Sequence, residues 1–88
     1  MKQLTSNELA FALENASRAV RVGGTYVHYK SAEKPYKVLN VALLEKEEEP
    51  CVVYQALYGE KLIWVRALSK FLESVDHEGK KVTRFREI

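Results

Sequence analysis

The sequence predicts a mainly β (α+β) domain: one N-terminal helix followed by a small five- to six-stranded, partly open β-barrel. Three observations predict it. The chain has 88 residues, enough for one domain with a thin core and too few for a deep cleft between layers. Apolar residues recur at helical spacing as far as Val20 and take strand patterning after the Gly23-Gly24 pair. Turn-forming residues then punctuate the rest at short intervals. A barrel is the economical closure for that many short strands, because it limits exposed edges.

The helix comes first. Thr5 and Glu8 have capping-box spacing, in which each side chain satisfies an orphaned backbone N–H at the helix start. Leu9, Ala12, Leu13, Ala16 and Val20 form one apolar stripe, and Gly23-Gly24 is the expected stop. Thr25 to Lys30 is aromatic and β-branched and reads as a strand. The polar segment Ser31 to Pro35 reads as the turn after it. Tyr36 to Leu44 is a longer strand, ended by the acidic run Glu45 to Glu49 and Pro50. Cys51 to Leu57 and Leu62 to Leu68 follow, joined by a tight turn in which Gly59 supplies a positive φ. Ser69 to Leu72 reads as a helical turn capped by Ser69, and Glu73 to Ile88 as a hairpin around His77 to Lys80. No repeat or linker divides the chain: residues 1–22 carry the helix and 23–88 the barrel of a single domain.

Composition narrows function by exclusion. A hydrophobic share of 47% with two prolines and four glycines excludes a disordered or low-complexity chain. Lys and Arg number 14 against 12 Asp and Glu, so the net charge of +2 is a weak pointer to nucleic acid. The basic tail, Lys80, Lys81, Arg84 and Arg86, and the acidic run read as solvated surface. Cys51 is the one cysteine, which suits a reducing compartment and forbids an internal disulfide. With no signal-peptide core and no apolar run of spanning length, the expectation is a cytoplasmic protein that makes no membrane contact.

Nothing selects a reaction. His28 and His77 lack a nucleophile elbow, and the Asp76-His77 pair falls in a polar turn. Cys51 opens a strand, where a small core hydrophobe is the plain reading. Two histidines without clustered carboxylates predict no metal site, and Gly23-Gly24 precedes a strand rather than a helix, so no cofactor is expected. The aromatic and arginine residues say more. Alternation puts Ile63, Val65 and Ala67 on one face of their strand, read as the barrel interior, and Trp64 with Arg66 on the other. Tyr26 and His28 share a side of the first strand. A surface of Tyr26, His28, Trp64 and Arg66 can stack a planar group and clamp an anion. A structural reading stands beside it, with Trp64 covered by the helix stripe and Arg66 paired to Glu73 or another carboxylate.

The order of uncommon residues also resembles a known family. Gly24-x-Tyr26-x-His28-Tyr29-Lys30, Tyr36-x-Val38 and Val52-Val53-Tyr54-x-Ala56-Leu57-Tyr58-Gly59 are followed by Trp64-Val65-Arg66, Phe71-Leu72-Glu73-x-Val75, Gly79 and Arg84-Phe85. This series, over residues 23 to 88, looks like the bacterial domain-of-unknown-function family 1653. Ala67 stands where the family usually has proline, Ser31 where it has glycine, and Glu45 to Glu49 replace its usual acidic loop. The resemblance implies an SH3-like barrel and brings no activity with it. The expected function is a non-enzymatic binding or interaction module, with Tyr26, His28, Tyr54, Trp64 and Arg66 lining the recognition surface and Arg84 at its edge. The partner would be a small ligand or a protein. Two alternatives are a structural homodimer formed through the helix stripe or the last hairpin, and RNA or single-stranded nucleic-acid binding on Tyr26 or Trp64.

Overall fold

The computed structural model describes residues 4–88. Helix α1 spans Ser6–Ala19, and both halves of the capping box form: Thr5 Oγ1 accepts from the Glu8 N–H at 3.1 Å, and Glu8 Oε1 accepts from the Thr5 N–H at 2.9 Å. The helix ends before the glycine pair. Val20 is already extended (φ −125°, ψ 145°) and buried, so its insertion into the core, rather than a glycine cap, turns the chain out of the helix.

Seven strands follow in place of five or six: β1 (Thr25–His28), β2 (Ser31–Leu44), β3 (Glu49–Ala56), β4 (Ile63–Ala67), β5 (Ser74–His77), β6 (Lys80–Thr83) and β7 (Phe85–Glu87), with a short helix α2 (Leu68–Phe71) between β4 and β5. Five of them make one antiparallel sheet in the order β4-β3-β2-β1-β7, while β5 and β6 pair with each other. Among the described residues the sheet does not close. It ends in two edges, β4 and β7, so no closed barrel forms, and the sheet packs on a core.

Two local expectations are corrected. The polar Ser31 to Pro35 segment is not the turn. Tyr29-Lys30 turns the chain, and β2 starts at Ser31, with the register jumping from Val27↔Pro35 to His28↔Ser31 so that Ala32 to Lys34 bulge into solvent. Ser69 is not the cap of α2: Ala67 holds that position without a side-chain bond, and Ser69 Oγ reaches Glu49 Oε1 at 3.4 Å. The last hairpin forms where expected, on Glu78 (φ 52°) and Gly79 (φ 79°), two successive positive φ values as a type I′ turn requires. The chain then continues into β7, which returns to pair with β1.

The core lies on one face of the sheet. Ala16 and Val20 at the end of the α1 stripe meet Tyr26, Val38, Val52 and Tyr54 from the sheet, with Phe71 of α2 and Phe85 of β7. Phe71 and Phe85 stack in parallel with centroids 4.3 Å apart, and Tyr26 and Tyr54 set their rings edge-on to Phe71. Full burial of each phenylalanine contributes about 2–3 kcal/mol. No described helix is long and apolar enough to cross a membrane.

Candidate functional site

Cross-strand pairing decides which face of β4 is which. Trp64 pairs with Tyr54 and Arg66 with Val52, and both partners are buried among the core residues. Directly opposed residues in a sheet share a face. Trp64 and Arg66 therefore lie on the core side, while Ile63 and Val65, read from sequence as interior, stand on the outer face, 58% and 60% exposed. Alternation grouped the residues correctly and assigned their faces the wrong way round.

On the core side the aromatic cluster stops short of the β4 edge and leaves a concavity of about 190 Å³, lined by His28, Tyr36, Tyr54, Trp64, Arg66 and Phe85. Trp64 is not covered by α1 and is 50% exposed at the rim. Arg66 is not paired to Glu73. Its Nε donates to the Tyr54 hydroxyl at 3.3 Å, and its guanidinium carbon sits 5.7 Å from the centre of the Phe85 ring. No ion pair within 4 Å engages Arg66 among the described residues, and no carboxylate lines the concavity. Glu73 is taken by Arg84, at 2.9 Å, and by Lys70, at 3.4 Å. Those bonds, from Arg84 first, hold its carboxyl below the ordinary 4.5.

His28 stands edge-on to Phe85 with centroids 5.1 Å apart. The Lys30 N–H donates to His28 Nδ1 at 3.2 Å, so the neutral ring carries its proton on Nε2. Burial, and then the positive charges of Arg84, Arg66 and Lys30, hold its pKa below 6.5. Across the concavity the Tyr36 and Tyr58 hydroxyls hydrogen-bond each other. Burial and that bond push the Tyr36 phenol up to about 12. The site therefore holds a neutral imidazole, a Tyr36 phenol held in its protonated form and one fixed cation. It has no activated nucleophile, and no cluster of His, Cys, Asp or Glu among the described residues is arranged to hold a metal ion.

Four of the six residues singled out from sequence, His28, Tyr54, Trp64 and Arg66, meet around this concavity. Two do not reach it. Tyr26 points to the same side as His28 but deeper, with its ring against Phe71 and its hydroxyl accepting from the Arg21 N–H at 3.0 Å. Arg84 lies behind, engaged with Glu73. Tyr36 and Phe85 were missed. Each arrives from a strand whose place in the sheet is set by distant pairing, and their one sequence signal was membership in the ordered residue series.

That series is matched directly. Residues 24–87 fit the family described as proteins of unknown function, DUF1653. The chain belongs to the DUF1653 family. A crystal structure of a DUF1653 protein from Bordetella bronchiseptica is similar, with a TM-score of 0.69 and 30% sequence identity over 81% of this chain and 90% of that one. No curated protein matches the chain. All six concavity residues lie inside the DUF1653 match, whereas α1 lies outside it.

Proposed function

We propose that this DUF1653 chain is a non-enzymatic binding module whose concavity takes a small planar group carrying a negative charge. The observation that carries the reading is Arg66: a guanidinium half-withdrawn into aromatic walls, hydrogen-bonded to a phenol and lacking a carboxylate partner among the described residues. A fixed fork of this kind gains most from a bidentate anion, and Trp64 offers the adjacent stacking surface. The volume limits the guest. About 190 Å³ is below the range usual for drug-sized ligands, so the fitting moiety is a single ring with its anionic substituent. The neutral His28, with Nε2–H as a donor, adds a hydrogen bond without a second fixed charge.

Trp64 is the only tryptophan in the chain, so intrinsic fluorescence reports on the site directly. Titration with benzoate and, separately, with a nucleoside 5′-monophosphate distinguishes a carboxylate guest from a phosphate one. Saturable quenching by either, lost in Arg66→Gln with the fold intact, supports the reading. Linear quenching by both, or saturation indifferent to Arg66→Gln, overturns it. Nucleic acid gains no specific support, because Arg84 and Lys81 of the basic tail are engaged by Glu73 and Asp76.

A further inference from the structure

The outward side of β4 is unused by the site. The Ala56 N–H donates to the Leu62 carbonyl at 2.9 Å, and in an antiparallel ladder the bonded pairs alternate. With the register Gln55↔Ile63 through Cys51↔Ala67, the backbones of Trp64 and Arg66 therefore turn toward β3. Those of Ile63, Val65 and Ala67 turn outward, with no strand beyond them among the described residues. Native sheets usually blunt such an edge with proline, lysine, a bulge or extreme shortness. The segment Leu62 to Val65 has none of these, and its four side chains are exposed and apolar.

We infer that β4 is a self-pairing edge: two copies of this chain join antiparallel about a two-fold axis at Val65, making one continuous sheet. The strand's own sequence argues for a second copy. Val65 is the midpoint of Ile63–Ala67, so pairing centred there uses the whole strand before α2 ends it. On the outer face Val65 meets Val65 of the second copy, and Ile63 meets Ala67. On the core side Trp64 meets Arg66 of the second copy, an aromatic–guanidinium pair, and no like charges are opposed. Pairing β4 with β7 of another copy is a poor match, because β7 has three residues and two of them are Arg86 and Glu87. The two-fold arrangement consumes both β4 edges and closes. A net charge of +2 per chain opposes it only weakly.

Sedimentation of the full chain from low to high micromolar concentration tests the proposal. A monomer–dimer equilibrium is expected, with Val65→Lys monomeric and Val65→Glu monomeric. An equimolar mixture of the two variants regains the dimer, because opposite charges then face each other at the axis, and that recovery also shows that both fold. Phe11→Lys, on the exposed side of α1, leaves the dimer intact. Four results overturn the inference: a wild-type monomer throughout, a dimer indifferent to Val65→Lys, a dimer dissolved by Phe11→Lys, or open-ended assemblies.

Discussion

The two edges of the sheet are built on opposite plans. β7 has three residues, yet its first, Phe85, is buried and stacked on Phe71, and its last, Glu87, pairs with Arg21 at 3.3 Å. Arg84 just before it is neutralised by Glu73. β4 is longer and hydrogen-bonded along β3, but its apolar side chains stand in solvent and its one cation has no acid partner among the described residues. Anchoring by side chains thus belongs to β7 and anchoring by backbone to β4. An edge held through its ladder leaves its side chains free for other contacts, and the concavity is lined by one set of residues from each plan: His28 and Phe85 on one side, Trp64 and Arg66 on the other.

The largest expected effect tests that division directly. Phe85→Ala removes a buried ring and leaves a cavity against Phe71, a loss of about 3–5 kcal/mol. Trp64→Ala removes a larger ring that is already half in water, and costs about 1 kcal/mol or less. Urea unfolding of both variants measures the gap. Equal costs would mean that β4 is anchored by its side chains after all, and the comparison would fail.

A smaller change converts one edge toward the other. Glu73→Gln takes the carboxylate from Arg84, whose Nε is already buried without a partner among the described residues, and so gives the β7 side an unneutralised guanidinium like that of β4. The melting temperature is expected to fall by a few degrees. The pH dependence carries the sign. A carboxyl held below 4.5 in the folded state stabilises fully above that value, and the contribution is lost as pH falls through the folded value. The wild type therefore loses stability on acidification through this range more steeply than Glu73→Gln does. Parallel acid profiles would remove Arg84–Glu73 from the account.

The same contrast explains what was legible in the sequence. The α1 start was readable because Thr5 and Glu8 act on neighbouring backbone, and the Glu78-Gly79 turn because its φ requirement is local. The face of β4 was not. Alternation says that Trp64 and Arg66 share a side, but with apolar residues on both sides only the pairing of Trp64 with Tyr54, ten residues away, says which side is inward. The open sheet and the arrival of Phe85 have the same origin. They depend on β7 returning to β1, and a three-residue strand after a hairpin leaves almost no periodicity to detect. Candidate residues could therefore be named from composition and alternation, whereas the concavity needed the long-range register.

The smallest effect asks whether the two edges act on one another across the site. Burial keeps the His28 imidazole neutral below 6.5, helped by Arg84 from the β7 side and, to a lesser extent, by Arg66 from the β4 side. Because the folded value lies below the unfolded one, the unfolded chain binds this proton more readily, and stability contributed by the neutral ring is lost as pH falls from 6.5 through the folded value. In an NMR titration of the His28 ring, Arg84→Gln raises its pKa more than Arg66→Gln does, and either rise is modest. Saturation with a planar anion raises it too, since negative charge beside Arg66 favours the imidazolium, and by linkage the anion binds more tightly as pH falls through that range. If Arg66→Gln left His28 unmoved, and saturating the wild type with the anion did so too, the guest would sit against β4 alone, and the concavity would be two half-sites rather than one.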